Sequence, residues 1–200
     1  MNTPTLVAAS ALAISLSTPV LGHAQIVYTA ELLGANEVPA VESPGYGSAT
    51  ITLDEDAMTL RVQATFQDLV GTVTAAHIHC CTPEPGVGNI GVATPTPTFP
   101  GFPADVSTGS YDQTFDLSLA SSWNTAFINL NGGTVAGAFE AFTAGLATQR
   151  AYFNVHTTFA TGGEIRGTLV PEPSAFALAG VGLAVAALAL RRSRRQGGTS

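Results

Sequence analysis

Apolar and polar residues alternate with period two over several short stretches of this chain. Met58, Leu60, Val62, Ala64 and Phe66 are apolar, while Thr59, Arg61, Gln63 and Thr65 between them are polar. Such alternation predicts a strand with one buried face. Ala49, Ile51 and Leu53 repeat the pattern within 48–54, and the acidic Asp54-Glu55-Asp56-Ala57 between the two stretches reads as a hairpin turn. Tyr111, Phe115, Leu117 and Leu119 alternate with Asp112, Thr114, Asp116 and Ser118; Ala151, Phe153 and Val155 alternate with Tyr152, Asn154 and His156. Ile165 and Leu169 alternate with Glu164, Arg166 and Thr168, after a Gly162-Gly163 turn. Further strands are expected over 26–33, 73–79 and 90–93. One segment has another period: Val135, Phe139, Phe142 and Leu146 recur at steps of three and four, which predicts a helix over 135–148. Many short strands joined by Gly- and Pro-rich turns predict an all-β fold, an antiparallel Greek-key β-sandwich with one short helix. Six of the twelve prolines fall within 83–103. That stretch reads as a long ordered loop, with Phe99 and Phe102 pinning it to the body.

The two ends do not follow this pattern. Residues 6–14 are an apolar run, and Gly22-His23-Ala24 puts small residues where a signal peptidase reads them, so 1–24 reads as a secretory signal peptide. At the other end, residues 174–190 form an almost wholly apolar stretch, followed at once by Arg191, Arg192, Arg194 and Arg195. As a helix it measures about 25 Å, slightly short of a ~30 Å hydrocarbon core. The one-sided arginines orient it with the domain outside the membrane. Pro171, Glu172 and Pro173, the apolar stretch and the arginine cluster together resemble the PEP-CTERM sorting signal of Gram-negative bacteria. The resemblance implies processing by an exosortase-type enzyme, a transient inner-membrane anchor through the C-terminal hydrophobic helix, and delivery to the cell surface or extracellular matrix. A permanent single-pass anchor is the alternative. The chain thus divides into 1–24, a domain over 25–170, a sorting and transmembrane segment over 171–195, and a tail over 196–200.

Charge narrows the function. The chain has seven arginines and no lysine, and 25–170 holds three arginines against thirteen acids. Such a surface repels phosphate, which excludes nucleic acid as a partner. Nucleophile elbows, phosphate-binding Gly-rich loops and His-Glu-x-x-His are all lacking from the sequence, so no enzyme activity is expected.

The candidate chemistry lies in histidine and cysteine. His77 and His79 are two apart on a predicted strand, so both project from one face. His156 lies on another strand. Neutral imidazoles are the commonest transition-metal ligands, and three could converge on Cu or Zn. The alternatives are a structural hydrogen-bond cluster, with Asn154 or Thr157 as polar neighbours, and proton transfer. Cys80 and Cys81 are adjacent and, in an oxidising compartment, form a vicinal disulfide, an intermolecular bridge or metal thiolates beside His79. Glu164 and Arg166 share a strand face and are expected to form structural ion pairs, with each other or with neighbours such as Glu37 or Arg150. The acidic turn at 54–56 reads as solvated.

Three ordered motifs carry a second resemblance. They are Gly34-Ala35-Asn36-Glu37-Val38-Pro39, Ala75-Ala76-His77-Ile78-His79, and Ala151 to Thr157 with Gly163-Glu164-Ile165-Arg166-Gly167. Together they resemble the CHRD domain, over about 28–170. This implies an extracellular module that works by binding, with exopolysaccharide or another surface protein as partner, and no established catalysis. The alternative is a metal-binding or redox protein built on the three histidines.

Overall fold

The computed structural model describes residues 25–172. The signal-peptide reading of 1–24, Pro173 and the apolar stretch with its arginines lie outside them. No helix among the described residues is long and apolar enough to cross a membrane.

Eight strands form in chain order: β1 (Ile26–Leu33), β2 (Tyr46–Asp54), β3 (Thr59–Gln67), β4 (Val73–Cys80), β5 (Gly109–Asp116), β6 (Ala151–Thr157), β7 (Ile165–Thr168) and β8 (Val170–Pro171). Two helices, α1 (Thr125–Leu130) and α2 (Val135–Ala147), lie between β5 and β6. Every strand pairing is antiparallel, in the order β4-β6-β7-β1-β2-β3-β5, with β8 extending the partnership of β1 beyond β7.

The fold is all-β, and its two facing halves belong to one continuous sheet that curls on itself. Phe99 and Phe102 show how far it curls. Phe99 packs on Tyr111 and Phe115 of β5 and on Phe153 of β6, and Phe102 packs on Phe66, Tyr111 and Phe153. Strands near opposite ends of the strand order thus meet across two aromatic rings in one core.

Local chemistry sets the boundaries. Asp54 Oδ1 accepts the Ala57 amide at 2.9 Å, and Met58 turns with φ 50°, so β3 begins at Thr59. The pattern at Leu117 and Leu119 does not continue β5. Asp116 Oδ1 accepts both the amide and the hydroxyl of Ser118, which bends the chain out of the sheet and leaves Leu119 exposed. The predicted helix is α2, capped by Thr134 Oγ1 on the Gly137 amide. A second helix, α1, starts at an Asn124 cap; its six residues are too few to show a period.

The stretch expected as a strand over 90–93 makes a single bridge, Val92 to His79. Prolines 95, 97 and 100 carry no amide hydrogen, so a continuous ladder cannot form there. The segment still covers the free edge of β4. Thr94 Oγ1 accepts the Ile78 amide and Thr98 Oγ1 accepts the Ala76 amide, each at 2.9 Å, while the Cys80 amide donates to Gly91 O, the Ala93 amide to Ile78 O and the Phe99 amide to Ala76 O.

Candidate metal centre

Register builds the site. On β4, Ala76, Ile78 and Cys80 face the apolar core, so His77 and His79 face away from it. Across the sheet His77 pairs with Asn154 and Asn154 with Arg166; His79 pairs with Tyr152; Ala75 pairs with His156. Directly opposed residues share a face. One side of β4, β6 and β7 therefore carries His77, His79, His156, Asn154, Tyr152 and Arg166. This face is covered rather than solvated. Arg166 donates to Asn36 O and to Asn89 Oδ1, and Asn89 Nδ2 donates to Val38 O, which ties down the turn around Glu37 and the proline-rich segment. His77 and His79 are buried and His156 is half-buried.

The three imidazole rings have centroids 5.1 to 5.8 Å apart. Each gives one nitrogen to a backbone carbonyl: His77 Nε2 to Pro97 O (2.6 Å), His79 Nδ1 to Ile90 O (2.7 Å) and His156 Nδ1 to Thr161 O (2.9 Å). A carbonyl only accepts, so those nitrogens carry the hydrogen and the others carry lone pairs. These others, His77 Nδ1, His79 Nε2 and His156 Nε2, are buried and have no partner. One ring nitrogen of each residue lies within 4.8 Å of the other two. Neutral imidazoles held by carbonyls through the far nitrogen are the usual form of histidine metal ligands. A tetrahedral ion with bonds of about 2.0–2.1 Å needs ligand atoms roughly 3.3 Å apart, so binding would draw the three rings together.

The His77 and His79 rings remain neutral well below pH 7. Burial pulls His77 down to about 4, against the opposing Pro97 hydrogen bond, with His156 adding to the depression. Burial likewise takes His79 to about 4 and lowers His156. Tyr152 stacks on the His79 ring at 4.7 Å, and the Arg166 guanidinium lies 4.5 Å over the Tyr152 ring. Tyr152 shares its face with Asn154 and His156, and that alternation was the one sequence signal for it. The three orienting carbonyls left no signal, since every residue carries one.

The other candidate residues fall as follows. Arg166 Nε stands 3.8 Å from Glu37 Oε2, both side chains buried. Burial outweighs the attraction of the guanidinium and pushes the Glu37 carboxyl up to about 7. Glu164 takes neutral donors instead of an ion pair with Arg166. Its oxygens accept Ser43 Oγ (2.6 Å), Thr157 Oγ1 (2.6 Å) and the amides of Val70 (2.6 Å) and Gly71 (3.1 Å). Burial pushes that carboxyl up, and these four hydrogen bonds together hold it below its ordinary value. Thr157 thus serves Glu164 and not the histidines. Asn154 reaches only Gly162 O, at 3.5 Å. Cys80 and Cys81 are bonded to each other beside Gly145 of α2, which leaves no thiolate for the histidines. Pro171 pairs with Tyr28 in β8, and the Glu172 amide donates to Val27 O at 2.8 Å.

A family model described as CHRD domain matches residues 28–169. The chain belongs to the CHRD domain family. The match covers all three histidines, Glu37, Asn154, Glu164 and Arg166, so the polar face lies wholly within the CHRD domain. A second model, the PEP-CTERM protein-sorting motif, matches residues 169–195 and marks the chain for export and sorting. No curated protein and no solved structure matches the chain.

Proposed function

We propose that this exported CHRD domain holds a transition metal, zinc or copper, between His77, His79 and His156. The observation that carries this reading is a cluster of three histidines, each with one buried, partnerless ring nitrogen, in which one ring nitrogen of each lies within 4.8 Å of the others. A purely structural cluster would use both nitrogens of a buried imidazole, because an unpaired buried acceptor costs about 1–3 kcal/mol. Three such costs at one point are offset by a cation. The sorting tail supports processing by an exosortase-type enzyme and delivery to the cell surface or matrix of a Gram-negative bacterium, where the domain works by binding.

The test is metal analysis of protein purified without a nickel column, followed by thermal unfolding with and without a chelator. One zinc or copper per chain, and a fall in Tm on chelation, are expected. Metal-free protein whose Tm ignores added zinc and copper would refute the centre.

A second reading concerns the partner. The outer face of β2, β3 and β5 bears a hollow lined by Ser48, Thr50, Gln63, Thr65, Ser110 and Asp112. Its hydroxyls and amides suit a hydroxyl-rich polymer, which favours exopolysaccharide over an apolar surface protein. Cosedimentation with purified exopolysaccharide, lost on filling the hollow with Ser110→Trp, is the expected result.

A further inference from the structure

Among the described residues, the buried side-chain atoms without a hydrogen-bond partner are His77 Nδ1, His79 Nε2, His156 Nε2, Asn154 Oδ1 and Glu37 Oε1. Asn154 lies beside the ligands: it is the register partner of His77, and it precedes His156 by two residues on the same face of β6. Glu37 lies next to Asn154, with Gly163 between them. A Cβ on Gly163 would sit 2.5 Å from Asn154 Oδ1 and 2.6 Å from Glu37 Oε1. The two oxygens therefore border a common gap that the glycine leaves open, at φ 129°, a conformation that side chains rarely adopt. A metal uses the three nitrogen lone pairs and leaves these two oxygens without a partner. Turning the Asn154 amide over would not help, because its oxygen would then face the carbonyl of Gly162.

We propose that the three-histidine centre keeps one coordination position for an exchangeable ligand, a water in the resting state, whose protons are received through Asn154 and Glu37. The proposal rests on the metal reading and deepens it. Three protein ligands with a water in the fourth place is the pattern of open zinc sites, whereas closed structural sites fill all four places with side chains. Of the three histidines, His156 is the one that is not fully buried. The ligand class is a small oxygen donor that itself carries protons. Asn154 and Glu37 act as positioning residues, holding the ligand's protons without binding the metal.

The experiment loads the metal-free protein with one equivalent of Cu(II). It reads two things: the nitrogen pattern in the electron paramagnetic resonance spectrum, and the relaxation rate of bulk water protons against a Zn(II)-loaded control. A three-nitrogen pattern with water relaxation raised several-fold is the expected result, and it needs no variant. In Glu37→Gln and Asn154→Ala the nitrogen pattern should persist while the relaxation gain falls at least twofold, and an unchanged gain in both variants would overturn their part in holding the ligand. A three-nitrogen pattern with no relaxation gain means a closed site: the proposal fails and the metal reading stands. Failure to take up copper or zinc at all removes both.

Discussion

Burying an imidazole without charging it makes stability depend on pH in one direction. His77 and His79 have an ordinary value of 6.5 in the unfolded chain and about 4 in the fold. Between those values the unfolded state binds more protons, so stability falls as pH drops from about 6.5 and levels off below about 4. Glu37 acts in the opposite sense: raised from 4.5 to about 7, its contribution is full below pH 4.5 and is lost as pH rises toward 7. Two strongly depressed histidines, with His156 lowered as well, outweigh one raised carboxyl. Metal-free domain should therefore melt at progressively lower temperature from pH 6.5 to pH 4, and a His77→Gln, His79→Gln double variant should flatten that slope. An unchanged slope in the variant would assign the acid sensitivity elsewhere. Glu164 makes a sharper test at the same scale. Its four donors come from Ser43, Val70, Gly71 and Thr157, so Glu164→Gln turns an amide NH2 toward hydrogens already aimed at it. The expected cost is about 3 kcal/mol in urea unfolding, and a loss within error of zero would mean those contacts carry no weight. The alternation in 164–168 showed that Glu164 shares a face with Arg166. It could not show what covers that face, because three of the four donors, on Ser43, Val70 and Gly71, come from about a hundred residues away in sequence.

At the level of elements, what could be read was what repeats. The hairpin of β2 and β3, the strands β1, β6 and β7, and helix α2 all announce themselves by period, and so does the shared face of His77 and His79. What could not be read was what makes the face a site. The proline-rich segment supplies Pro97 O and Ile90 O to two histidines, and it replaces a strand ladder by two threonine hydroxyls, an arrangement with no period. Those hydroxyls can be tested. Thr94→Val and Thr98→Val keep the shape but leave the Ile78 and Ala76 amides without acceptors, each at a cost of about 1–3 kcal/mol. Because the same segment orients His77 and His79, the double variant should also bind metal more weakly, as read by competition with a chromogenic chelator. Loss of stability with unchanged metal affinity would separate the edge from the centre. Helix α2 meets a comparable constraint at Gly145, where a Cβ would run into both Cys80 Sγ and Cys81 Sγ. Gly145→Ala should destabilise by about 1–3 kcal/mol through overpacking, despite alanine's better helix propensity, and a gain in Tm would show that the helix lifts off the disulfide freely.

Across the whole molecule, the topology sets the sorting junction apart from the row of His77 and closer to the row of His79, which ends at Thr168. β8 continues the pairing of β1, so the chain enters the sheet at Ile26 and leaves it at Glu172 side by side. His77, Asn154, Arg166 and Leu33 form one row across the sheet. Leu33 stands at the other end of β1 from Ile26, about 23 Å away at ~3.3 Å per residue. A domain tethered through its C-terminal segment would thus hold the row of His77 away from the tether, and the first residues of the sorting motif would belong to the folded sheet. Truncation tests this directly. A chain of residues 25–172 keeps β8 and the fully buried Leu169; a chain of residues 25–168 loses both. Deleting a buried leucine costs about 2–5 kcal/mol, and the lost pairing with Thr29 and Tyr28 adds to that, so the shorter chain should unfold at markedly lower urea. The shorter chain ends in the row of His79, which pairs with Tyr152, itself paired with Thr168, so it should also bind metal more weakly than the longer chain. Equal stability of the two chains would mean that the motif is only laid against the domain, and that the fold ends before it.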